Sequence, residues 1–206
     1  MDASVQEELT KLEERFLSDL EAQPVHIDSV LTTLRYLKQS PHAKLADDWS
    51  QTALNKLVEM GDRAALVKLL SLLATWRSDV RAFGDTCKTA LKKASQDRVW
   101  NACVDSVAFG EVAPQESLRR LEFLDNCKPG SLVLDKTWGF GVVKRIDDFY
   151  KRMIVDFTNK PSHALSLANA GENLVFVPVA HILAVRYRDP DAFARKISDD
   201  PAAVVR

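Results

Sequence analysis

Glycine is scarce in this chain: seven of 206 residues, and only Gly61, Gly84 and Gly110 fall before residue 126. Cysteine is scarcer still. Cys87, Cys103 and Cys127 are odd in number, widely spaced and form no CxxC pair, which argues against a zinc ribbon and a disulfide scaffold. Reduced, buried thiols in a cytosolic protein are the expectation. Long apolar runs are missing too. The longest, Ala64–Ala74, is interrupted by Lys68 and Ser71 and falls short of a membrane span. The acidic, amphipathic start MDASVQEELTKLEERF is wrong for a signal or transit peptide, so a cytoplasmic location is expected. There is no excess of charge of either sign, the formal net charge being −1. Binding to nucleic acid would therefore have to rest on a local patch. No GxxxxGK[ST], GxSxG or HExxH pattern occurs, so no enzyme is expected.

What is present is a soluble globular composition, 46% hydrophobic and 28% charged, in a length that suits one or two domains. Apolar residues first recur with helical period. Val5, Leu9, Leu12, Phe16 and Leu20 predict a helix over 3–22, ended by the EAQP stretch. Asp28 or Ser29 is expected to cap a second helix carrying Val30, Leu31, Leu34 and Leu37. A third helix is expected over 43–60, stopped at Gly61, and a fourth is capped by Asp62. Helices over 78–93 and 96–109 follow, the latter ending at Phe109-Gly110. Pro114 opens a seventh with Leu118, Leu121 and Leu124 inward. Seven helices in residues 1–126 read as an antiparallel helical array, either a bundle or a short solenoid. No repeat consensus is visible.

After Asn126 the period shortens. Strands are expected at 131–134, 141–146, 153–157 and 174–177, with a further short strand near 163–165 and a turn or brief helix before 174. The four to five short strands over 127–187 predict a small curled antiparallel barrel, an α+β fold overall. Gly139 and Gly141 flank Phe140 and are expected to permit the sharp bend that such curling needs. Trp138 sits at that bend. Short helices starting at Pro190 and Pro201 are expected over 188–206, and because the pattern stops midway the chain is expected to continue past Arg206.

The stretch KPGSLVLDKTWGFGVVKRI…RMIVDF, Lys128 to Phe157, resembles the Tudor- or KOW-like barrels of bacterial transcription proteins. These are the CarD type, the RNA-polymerase-interaction domain of the transcription-repair coupling factor, and the C-terminal Tudor module of UvrD-like helicases. The shared pattern is Pro-Gly, an apolar strand, an aromatic-Gly-x-Gly turn, a valine strand and a charged hairpin followed by V-x-F. The continuation from Val155 to Val185 is similar to the N-terminal extension of unusually long Gre-type transcript-cleavage factors. No acidic-tipped catalytic coiled coil of the Gre type is visible. The resemblance implies a non-catalytic interaction module of a transcription elongation or regulatory factor that docks on RNA polymerase or on DNA or RNA near it. No cofactor, small-molecule substrate or membrane partner is implied. The alternative is a structural scaffold or protein-interaction domain with no nucleic-acid role.

Between Lys128 and Lys160 seven basic residues face four acidic ones, whereas residues 1–24 hold two basic and seven acidic. Lys144, Arg145, Lys151 and Arg152 flank one hairpin turn beside Phe149 and Tyr150. Basic side chains interleaved with aromatics suit a phosphate or single-strand stacking surface, and the same pattern equally describes a solvated hairpin. Trp138 and Phe140 read either as an aromatic anchor for a partner or as core filling. His163, His181 and Asp156 match no zinc spacing and read as caps or buried hydrogen-bonding groups.

Overall fold

The computed structural model describes residues 3–77 and 79–199. These form an α+β protein that divides into two compact units. One is the chain up to Asp97 together with Ala108–Arg119, the other Arg98–Val107 together with the chain from Arg120.

The first unit holds α1 (Ala3–Glu21), α2 (Ile27–Gln39), α3 (Ala43–Met60), α4 (Arg63–Ala74) and α5 (Val80–Lys93). Each helix packs on the next, and α2 also meets α4 as α3 meets α5. That layering follows from wide apolar stripes: Phe16, Leu34, Leu37, Leu57, Leu66, Leu69 and Leu91 are fully enclosed. Asp62 and Asp79 cap α4 and α5 by accepting the N–H of Ala65 and Ala82. The start of α2 departs from expectation. His26 holds the cap position without a side-chain bond, and Asp28 and Ser29 lie within the first turn. The Ser29 hydroxyl instead donates to Asp19 on α1. That bond, helped by nearby His26, holds the Asp19 carboxyl below its ordinary range.

The helix expected over 96–109 is shorter, α6 running Arg98–Ser106. Beyond it Ala108 takes a φ of 54° and Gly110 one of 84°, bringing Gly110 against α5. A Cβ on Gly84 would lie 2.4 Å from the Gly110 nitrogen, so two bare backbones meet there. A helix continued through Phe109 would forbid that approach. The helix α7 (Pro114–Asn126) begins with its proline, as expected, and the division between the units falls within it.

The second unit holds α6, β1 (Leu132–Asp135), β2 (Gly139–Asp147), β3 (Arg152–Phe157), β4 (Lys160–Ser166), α8 (Leu167–Asn173), β5 (Val175–Phe176), α9 (Ile182–Arg188) and α10 (Pro190–Asp199). The strands make one antiparallel sheet in the order β4-β3-β2-β1-β5. The sheet does not close. The expected barrel is corrected to an open sheet with β4 and β5 as its edges, because two-residue β5 pairs only with β1 and α8 separates it in the chain from β4. The helix α9 is an element that apolar spacing does not predict. The second C-terminal helix expected at Pro201 lies outside the described residues.

Period-2 alternation sorts the sheet into two faces. Val133, Val143, Met153, Val155, Phe157 and Leu165 are buried on the inner face, with α8 packed against β3 and β4. Leu132 and Val142 point the other way and cluster with Val177 and with Ala184 of α9. Gly139 takes a φ of 73°, and a Cβ on Gly141 would sit 2.6 Å from Phe157 Cδ1 and 2.7 Å from Val155 Cγ1. Both neighbours are buried and have little room to yield, so Gly141 lets β2 bend over the inner face. Changing Gly141→Ala should lower stability by about 1–3 kcal/mol, the usual cost of overpacking. Urea denaturation followed by tryptophan fluorescence measures it, and an unchanged midpoint would mean that the bend does not need glycine.

Candidate functional site

The hairpin joining β2 and β3 carries most of the expected site residues, and a register shift decides where they point. Val143 pairs with Val155, yet Arg145 pairs with Ile154, so Lys144 is an extra residue on β2. Strict alternation would turn one member of the Lys144-Arg145 pair inward. The bulge places both on the outer face, where Arg145 stands opposite half-buried Ile154 and Lys144 reaches Asp156 at 3.2 Å. Arg152 lies on the same face, two positions along β3 from Ile154.

The four cations of the hairpin are not equivalent. Lys144 is paired with Asp156, whose carboxyl is held below its ordinary range by the Ser162 backbone N–H at 2.7 Å and then by Lys144. Lys151, at a φ of 49°, turns away and places its Nζ 3.3 Å from Asp105 of α6. Arg98 of the same helix meets Asp148 at 3.0 Å, so the turn is fastened to α6 by two ion pairs. Arg145 and Arg152 have no acidic partner within 4 Å among the described residues. Arg152 instead lies 5.8 Å from the Tyr150 ring centroid. At the tip Phe149 and Tyr150 are 74% and 64% exposed and meet edge to face at 4.8 Å. The Tyr150 N–H donates to Asp147 Oδ1, which shapes the turn.

Trp138 and Phe140 lie elsewhere. Trp138 precedes the opposite end of β2, roughly 25–30 Å of strand from the hairpin tip. Asp135 accepts the backbone N–H groups of Thr137 and Trp138 and so builds the turn. The half-buried indole packs on His163 of β4 at 4.8 Å, and Lys160 places its ammonium 4.1 Å from the ring centroid. Phe140 joins the apolar cluster of Leu132, Val142, Val177 and Ala184 and lies 5.8 Å from Tyr187 of α9. Both aromatics of the glycine turn, half-buried, thus pack on side chains of their own unit, apart from the hairpin.

Sequence reasoning missed Lys160, Asp105 and Arg98 as partners of this surface. Only tertiary contacts pair them, and no spacing signals it. His181 accepts the Leu183 N–H and caps α9, the role expected for it. The three cysteines are buried, with the thiols of Cys87 and Cys127 pushed up by burial to about 12, so neither is a thiolate near neutral pH. No family model, no curated protein and no solved structure matches this chain.

His163 titrates below its ordinary 6.5, first because burial disfavours the imidazolium and then because the Lys160 ammonium stands beside it. The unfolded chain therefore takes up this proton at higher pH than the native one, and stability falls as pH drops from 6.5 toward the native midpoint. NMR titration of the His163 ring should show that lowered midpoint, and Lys160→Ala should move it back upward. A midpoint unmoved by Lys160→Ala would remove the ammonium from the account.

Proposed function

We propose that this chain is a non-catalytic docking module of a bacterial transcription elongation or regulatory factor, in which the sheet unit binds RNA polymerase or nucleic acid beside it. The observation that carries the reading is the aromatic tip of the β2–β3 hairpin. Phe149 and Tyr150 stand free in solvent while the turn beneath them is held to α6 by Lys151–Asp105 and Arg98–Asp148. A pre-organised turn that presents two aromatic rings loses little freedom on binding, and exposed aromatics flanked by arginine are the residue types that anchor interfaces. The sequence resemblance to Tudor-like and Gre-associated modules supplies the partner. The open edges of β4 and β5 offer a second mode, addition of a partner strand.

The scaffold reading is favoured by one specific observation. Lys151 and Asp148 spend their charges inside the unit, on α6, and Trp138 and Phe140 pack against the protein's own side chains. Under that reading the hairpin is a brace.

The two separate in a capture experiment with the full chain immobilised and purified bacterial RNA polymerase in solution. Docking predicts capture by the native chain and loss of about tenfold or more in the Phe149→Ala/Tyr150→Ala variant, the range expected for removing interface anchors. Equal capture by native chain and variant would exclude the tip from the contact. An absence of capture by the native chain would leave the scaffold reading.

A further inference from the structure

We propose that the outer face of strands β2, β3 and β4 binds the sugar-phosphate backbone of single-stranded nucleic acid, with Arg145 and Arg152 holding phosphates and Tyr150 stacking on a base. This deepens the docking reading by naming the ligand of one surface, and it rests on that reading only for its biological setting.

Three features of the face carry the inference. First, of the four hairpin cations only Arg145 and Arg152 are left without an acidic partner, and both are exposed. The bulge at Lys144 is what brings Arg145 onto the face of Arg152. Since Arg145 pairs with Ile154, the two arginines are diagonal neighbours, about 7–8 Å apart at their backbones. Two successive phosphates of an extended strand suit that separation, and each guanidinium offers a fork matched to phosphate oxygens.

Second, the neighbouring surface is low. Ala164 stands opposite Ile154 and Ser166 opposite Arg152, so β4 raises no bulky side chain beside the arginines. A flat, partly apolar floor next to a cation accommodates an unstacked base. Third, the Tyr150 ring is already beside Arg152, and Phe149 braces it edge-on. Exposed rings favour a single strand, whose bases are free to stack, over a duplex, whose base faces are hidden.

The acids on the face are Asp156, engaged by Lys144 and Ser162, and Asp147, opposite Arg152 and bonded to the Tyr150 N–H. Outward-facing charge is three basic (Lys144, Arg145, Arg152) less two acidic (Asp147, Asp156), a net +1. Binding should therefore be modest and strongly dependent on salt. Nucleic acid offers a planar base beside every phosphate, whereas an acidic protein segment carries no ring tied to each charge, which is why nucleic acid is the favoured occupant.

The test uses the full chain and a fluorescein-labelled oligouridylate of about 12 nucleotides, with anisotropy read from about 0.05 M salt upward. The native chain should bind. The Arg145→Glu/Arg152→Glu variant should bind about tenfold or more weakly. Its slope of log affinity against log salt should be shallower by about 1.4, two contacts at about 0.7 each. Arg145→Lys/Arg152→Lys keeps charge and fold but removes the forks, and should weaken binding about threefold. A charge-matched control on the helical unit, Arg35→Glu/Lys44→Glu, should stay within about twofold. Native-like affinity in both arginine variants, or equal competition by polyglutamate of matched charge, overturns the proposal. Native chain that captures polymerase but not the oligonucleotide also overturns it while leaving docking intact. Oligonucleotide binding lost in the glutamate variant, with no polymerase captured by the native chain, upholds the site and removes polymerase as partner.

Discussion

The sheet unit depends on one close approach, that of the bare backbone at Gly141 to the side chains of Val155 and Phe157. With Gly139 in the left-handed region two residues earlier, β2 folds over its own inner face instead of running flat. The turn before β2 is thereby carried across to β4, where Trp138 meets His163 and Lys160. The curl stops short of closure. The strand that would have to complete a barrel, β5, is two residues long and is already paired to β1. An open sheet results, its outer face covered by α9 and Val177 at the β1 side and exposed around Arg145, Arg152 and β4.

Charge in this unit is divided between construction and display. Two of the six groups around the hairpin turn, Lys151 and Asp148, are answered by α6 and hold the turn still. Lys144 is answered by Asp156 within the sheet. Exposed pairs of this kind contribute little stability individually, so their effect is chiefly to fix direction. Asp147 accepts the Tyr150 N–H and shapes the turn, so Arg145 and Arg152 are the cations that remain, and the bulge is the device that puts them on one side. A count of basic residues between 128 and 160 could not distinguish these roles, because it treats a brace and a free guanidinium alike.

Much of the helical part was legible because its signals are local. The helix stop at Gly61, the cap at Asp62 and the proline start at Pro114 each need only a few neighbouring residues to act. Where the reading slipped, a distant partner had intervened. Ser29 is drawn from capping to Asp19 on another helix, and the expected helix through Phe109 is cut short so that Gly110 can reach Gly84. The helix α9 escaped because seven residues carrying Ile182, Leu183 and Val185 suit a strand as well as a helix. Its packing of Ala184 and Tyr187 on the sheet decides the matter.

From sequence alone came the α+β class, the change of period after Asn126, the strands, and the need for glycine at positions 139 and 141. Each of these follows from backbone preference and apolar spacing, which a chain carries before it folds. Tertiary structure alone decided that the sheet stays open, that Trp138 and the hairpin lie at opposite ends of β2, and which two of four hairpin cations have no acidic neighbour. Those outcomes turn on register and on pairings such as Lys151 with Asp105, and a register is a relation between segments that no single segment contains.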